Sequence, residues 1–127
     1  MHQIQITAGN VSAAALLFDN KTANAIWDAL PIDAQVNTWG EEIYFGIPVH
    51  LDESDDARET VDMGHLGYWP SGQAFCIFFG PTPISRENEI RPASAVNVFG
   101  QVEGDATVFK KVGDGDRIHI EKAEGDL

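Results

Sequence analysis

Apolar and polar positions alternate in short runs along most of the chain, the period of half-exposed strands, and one window carries the wider spacing of an amphipathic helix. Ile4 and Ile6 alternate with polar neighbours between Gln3 and Thr7, and Gly9-Asn10 supplies a tight turn into Val11 to Phe18, which predicts a hairpin. The period then changes. Ala23, Ile26, Trp27 and Leu30 fall at i, i+3, i+4 and i+7, an apolar stripe that Asp19 or Asn20 can cap and Pro31 ends. This predicts a helix with Trp27 packed in the core. Ala34 to Thr38 and Glu42 to Phe45 read as strands joined at Trp39-Gly40, followed by a short strand from Ile47 to Leu51 whose Pro48 favours an edge or a bulge.

Leu51 to Thr60 is polar and acidic and reads as a solvated loop, after which Val61 to Tyr68 leads into the densest stretch, Gly64 to Pro83. There Ala74 to Phe79 are six consecutive apolar residues bounded by Gly72 and by Gly80-Pro81, too short for a helix, and they predict a central strand buried on both faces. Pro81 to Ala93, with three prolines and no period, is expected to be a surface loop. Ser94 to Glu103 resumes as a strand, and Asp105 to Val112 predicts one or two helical turns with Val108, Phe109 and Val112 inward. Gly113 to Asp116 then forms a turn, and Arg117 to Glu121 a last strand with Ile118 and Ile120 inside. The inventory is mainly β: about eight short strands and one or two short helices, expected to form a closed β-barrel capped by those helices.

At 127 residues and 43% apolar content, one domain over 1–127 is expected. No apolar run approaches the roughly 18 residues of a membrane span, and the first residues lack the basic and apolar regions of a signal peptide, so a soluble cytoplasmic protein without membrane partners is expected. One cysteine makes no internal disulfide. Eight basic against twenty acidic residues give a net charge of −12, which repels polyanions and argues against nucleic-acid binding. The excess suits solubility, capture of a cationic ligand, or life in high salt, and the spread of the acids along the chain favours the last.

Three blocks of the chain resemble the cyclophilin fold, and more closely a small prokaryotic cyclophilin-like family of uncharacterised function. Ala14-Ala15-Leu16-Leu17-Phe18-Asp19 with Thr22, Ala23 and the Trp27 helix is similar to the cyclophilin strand ending in Leu-Phe and its first helix. Tyr68-Trp69-Pro70 through Cys76-Ile77-Phe78-Phe79-Gly80-Pro81-Thr82-Pro83 resembles the small family's own signature. Val98-Phe99-Gly100-Gln101-Val102, a helical segment and Arg117-Ile118-His119-Ile120 resemble the closing part of the barrel. The resemblance implies a closed cyclophilin-like barrel but not the family's prolyl isomerase chemistry. Cyclophilin-type isomerases place an arginine in a Phe-His-Arg segment before Ile-Pro, whereas this chain reads Tyr44-Phe45-Gly46-Ile47-Pro48, with Gly46 at the arginine's place. Pro92 to Asn97 supplies neither the tryptophan nor the histidine of the isomerase pocket. Gln73 and Phe75 are similar to the groove glutamine and phenylalanine, although a shift of one residue would turn both to the opposite face.

The candidate ligand-binding residues are therefore Tyr44, His65, Tyr68, Trp69, Gln73, Phe75, Arg86 and Arg91. Tyr68 and Trp69, which precede a turn, are expected as exposed rings, while alternate members among Phe75, Phe78 and Phe79 fill the core. Arg86 and Arg91 leave the barrel in the long loop, from which they can reach back over a groove or pair with Glu87 and Glu89. His2, His50, His65 and His119 have no metal-binding spacing, and neither a metal nor a cofactor is expected. Cys76 among apolar neighbours predicts an inert thiol of raised pKa. Asp52, Glu53, Asp55 and Asp56 lack the ligand pattern of a calcium loop. The expected role is a small-molecule or peptide binding module. The alternatives are a prolyl isomerase using Arg86 or Arg91, and, from the fold resemblance alone, a subunit or domain of an amidolyase-type assembly.

Overall fold

A computed structural model describes residues 1–123. Its strands are β1 (His2–Ala8), β2 (Val11–Leu17), β3 (Ile32–Gln35), β4 (Asn37–Thr38), β5 (Glu42–Gly46), β6 (His65–Trp69), β7 (Ala74–Phe78), β8 (Asn97–Val102) and β9 (Arg117–Lys122). They form one nine-stranded sheet in the order β3-β9-β1-β2-β8-β6-β7-β5-β4, with every pairing antiparallel. The two ends of that order, β3 and β4, are consecutive in the chain and separated only by Val36. One bent stretch of backbone therefore runs from pairing with β9 to pairing with β5 and nearly closes the sheet into a barrel. Val36 itself stays hydrogen-bonded, donating to the Asp116 carbonyl at 2.9 Å and accepting from Gly115 N–H at 2.8 Å. Closure of this kind leaves little unpaired strand edge.

The β1–β2 hairpin turns at Gly9-Asn10 with Ala8 opposite Val11, and Gly9 takes a φ of +54°, a region that side-chain-bearing residues rarely adopt. Asn20 caps helix α1 (Lys21–Ala29) by accepting from Ala23 N–H at 2.8 Å. The helix buries Ala23 and Ile26, but Trp27 is half-buried rather than a core residue. Its ring stacks on His2 with centroids 4.0 Å apart, and the Lys122 ammonium lies 4.6 Å from it. Of the four stripe residues only Ala23 and Ile26 are buried, while Trp27 and Leu30 pack half-buried at the margin of the core. A 3-10 segment, Ala106–Lys111, buries Ala106 and Phe109 against the same interior and is capped by Asp105, which accepts from Thr107 N–H at 2.9 Å. Among the described residues no helix is long and apolar enough to cross a membrane.

The expected strand from Ile47 to Leu51 does not form. Pro48 has no N–H to give a ladder, and the segment is held by a side chain instead. The Tyr68 hydroxyl donates to the Val49 carbonyl at 2.6 Å and accepts from Leu51 N–H at 3.2 Å, while Ile47 N–H reaches the Gln73 carbonyl at 3.0 Å. Tyr68→Phe strands both backbone groups and is expected to cost about 1–3 kcal/mol. In hydrogen exchange the Leu51 amide should lose protection ahead of the rest of the barrel; an unchanged Leu51 rate would show that the hydroxyl does not anchor the segment.

Strand β7 is buried at every position, as its unbroken apolar run requires. Its residues divide by parity. Phe75 and Ile77 point into the barrel with Phe45, Leu66, Tyr68 and Phe99, whereas Ala74, Cys76 and Phe78 face outward and pack with Val61, Ile90 and Val96. That second cluster exists because the 79–96 segment folds back over the outer face. Bridges pair Arg58 with Val96 and Val61 with Ile90, and Ser85 Oγ accepts from the backbone N–H groups of Thr82 and Arg91 at 2.9 and 3.0 Å. Gly67 permits the approach, since a Cβ there would lie 2.8 Å from Val96 Cγ2. The Pro81 to Ala93 loop is thus tied down as a cover over the outer face.

Candidate functional site

The covered outer face leaves one aromatic cleft of about 200 Å³. Trp39, Tyr44 and Trp69 supply its rings, Glu42 and Cys76 its polar atoms, and Pro92, Ala93 and Val96 the side belonging to the folded-back 79–96 segment. The positions follow from strand parity. Glu42 and Tyr44 are two apart on β5 and so share the outer face, and the β5–β7 register sets Tyr44 opposite Cys76. Trp69 ends β6 on the same face, where its indole N–H donates to Ser94 Oγ at 2.6 Å and ties the ring to the loop.

Glu42 is the unusual member. The residue is 5% exposed and its Oε1 has no hydrogen-bond partner among the described residues. Burial raises its pKa to about 7, an effect that a hydrogen bond with the Cys76 thiol offsets only in part. The Cys76 thiol is itself pushed well up, first by burial and then by the neighbouring carboxyl, so it stays protonated and inert. The cleft therefore sets a buried acid of near-neutral pKa, with an unused oxygen, among three aromatic rings. Such perturbed groups in concave sites mark candidate binding or catalytic positions.

Of the residues singled out from the sequence, the cleft brings together Tyr44 and Trp69. Tyr68 is 0% exposed, which corrects its expected exposure: its ring points into the barrel and its hydroxyl is committed to Val49 and Leu51. Phe75 is likewise interior, stacked on Phe45 with centroids 5.1 Å apart and meeting Phe99 edge-on at 5.0 Å. His65 is buried at a turn, where its Nδ1 accepts from Asp62 N–H at 3.0 Å, and burial lowers its pKa. Gln73 ends the 3-10 turn Pro70–Gly72 with a φ of +49° and lines a separate polar hollow with Lys21, His50 and Ser71.

Arg91 does not reach the aromatic cleft. Glu89 holds it through Nε at 2.6 Å and through a second guanidinium nitrogen at 3.2 Å, a bidentate pair that also pulls the Glu89 carboxyl below its ordinary pKa. Arg86 is exposed and lines none of the clefts described here, and its backbone N–H bonds Glu89 at 3.3 Å. A Cβ on Gly46, where the isomerase resemblance sets an arginine, would meet nothing within 4 Å. Trp39 and Glu42 were missed because each reads locally as a turn or strand residue. The available signal was the alternation Glu42-Ile43-Tyr44-Phe45, which places an acid on the face shared with Tyr44.

A nearly closed antiparallel barrel with α1 and a 3-10 segment packed against its core defines a protein of the cyclophilin fold class. The chain belongs to the cyclophilin-like family, whose model matches residues 2–121. It is similar to a hypothetical protein from Archaeoglobus fulgidus, known from a solution structure, with 38% sequence identity and a TM-score of 0.81 over 96% of this chain and 95% of that one. No curated protein matches.

Proposed function

We propose that this cyclophilin-like domain is a binding module that seats a small molecule, or one side chain of a peptide, in the aromatic cleft of the outer barrel face. The observation that carries the reading is the cleft itself: a concavity of about 200 Å³ with three rings and a buried carboxyl holding an unused acceptor. Its volume lies below the roughly 300–1,000 Å³ of drug-sized sites, which favours a compact ligand.

The same residues argue against prolyl isomerisation. Rotation about an X–Pro bond faces a barrier of about 18–20 kcal/mol, and a catalyst lowers it with a donor aimed where amide resonance is lost. No Lys, Arg or His lines this cleft. Loss of one preorganised donor commonly costs a factor of about 10² to 10³ in rate. A protease-coupled assay on an Xaa-Pro peptide is expected to give the uncatalysed rate; catalysis abolished by Arg91→Ala or Arg86→Ala would overturn the reading. The binding role is tested by following the Trp39 and Trp69 indole NMR signals through a screen of small charged and neutral compounds. Saturable shifts confined to these indoles are expected, and a screen that moves neither would sink the proposal.

A further inference from the structure

The buried carboxyl narrows the ligand chemistry. Resting on the reading of the cleft as a binding site, we propose that it selects a small organic cation with N–H donors, an alkylammonium group held between the rings of Trp39, Tyr44 and Trp69 and the Glu42 carboxylate.

Glu42 is nineteen-twentieths buried, yet its Oε1 accepts no hydrogen bond among the described residues. An unpaired buried acceptor is costly, and a ligand that brings its own N–H removes that cost on binding. The titratable groups facing Glu42 are Cys76 from β7, which stays neutral, and Tyr44 on its own strand. The folded-back 79–96 segment lines the cleft with Pro92, Ala93 and Val96 only, so no cation among the lining residues balances the carboxylate. Rings around the same space favour a cation over their faces. The net charge of −12 raises the local concentration of cations and repels anions. The volume holds several water-sized groups, at about 30 Å³ each, enough for a short alkyl chain and its ammonium head.

The full chain is titrated with n-butylammonium, 1-butanol and butyrate, three probes of similar size that differ in charge, while the Trp39 and Trp69 indole signals are followed. Butylammonium is expected to bind about tenfold or more tightly than butanol, the difference made by a charge-assisted hydrogen bond. Its affinity should rise about tenfold from pH 6 to pH 8 as Glu42 ionises around its pKa of about 7. Glu42→Gln should lose both the preference and the pH dependence, and Trp39→Leu should weaken butylammonium while the barrel signals stay in place. Butanol or butyrate binding as well as butylammonium, or an affinity flat with pH, would overturn the cation assignment and leave the cleft as a binding site. If no probe moves either indole, both readings fall.

Discussion

Phe75→Ala is expected to destabilise the barrel by about 3–5 kcal/mol. Phe75, the second residue of β7, is fully buried, stacked on Phe45 at an interplanar angle of 18° and met edge-on by Phe99 at 75°. Removing the ring deletes its transfer free energy and leaves a cavity that strands hydrogen-bonded on both sides cannot collapse into. The loss is a large share of the about 5–15 kcal/mol that stabilises a whole domain, so the variant should unfold at a clearly lower denaturant concentration. Urea unfolding of both proteins measures it. A loss under about 1 kcal/mol would mean that Phe75 is not an interior ring and that β7 is registered one residue away from the pairing described.

The second large effect is the pH dependence contributed by Glu42. Its pKa in the folded protein, about 7, lies above its ordinary value of 4.5 because burial disfavours the charged form. For a carboxyl raised in this way the folded state holds the proton longer than the unfolded state does. The contribution to stability is complete below about pH 4.5 and is lost as pH rises through about 7. Full ionisation should cost roughly 3 kcal/mol. His65 runs the opposite way: burial lowers its pKa, so it destabilises the fold as pH falls below 6.5. His119, raised first by its hydrogen bond to Asp33 and then by Glu121, favours the fold below 6.5 and loses that contribution as pH rises through its raised pKa. The difference between wild type and Glu42→Gln cancels these histidines. Between pH 5 and pH 8 the variant should gain on the wild type by up to about 3 kcal/mol. Parallel stability profiles would show that Glu42 is solvated in solution and that the cleft is more open than described.

Occupation of the cleft by an ammonium would act on the same equilibrium. A cation pairing with Glu42 favours its ionised form, so a bound ligand should raise stability at pH 8, where the contribution of the protonated Glu42 carboxyl is gone.

The local pattern by itself determined the elements that depend on near neighbours. The Gly9-Asn10 hairpin, the Asn20 cap, the alternation of Ile118 and Ile120 and the two-sided burial of β7 were all readable, because period, turn chemistry and capping act within a few residues. The resemblance in the Tyr68 to Pro83 block added the family and its barrel. Only the tertiary structure decided which outward positions are covered. Tyr68 precedes a turn and reads as exposed, yet parity turns it into the barrel, where its hydroxyl replaces the ladder partner that the Pro48 segment lacks. Trp27 sits on a core-facing stripe, yet it packs only at the margin of the core, half-buried and stacked on His2. Arg91 stands in an open loop, yet Glu89 two residues away captures it. Glu42 shows the reason most plainly: an acid on the outer face of a strand is ordinarily solvated, and it becomes a buried acceptor only because residues 92–96, some fifty positions later, fold back across it. Contacts at that separation depend on the closed sheet as a whole, and no local period encodes them.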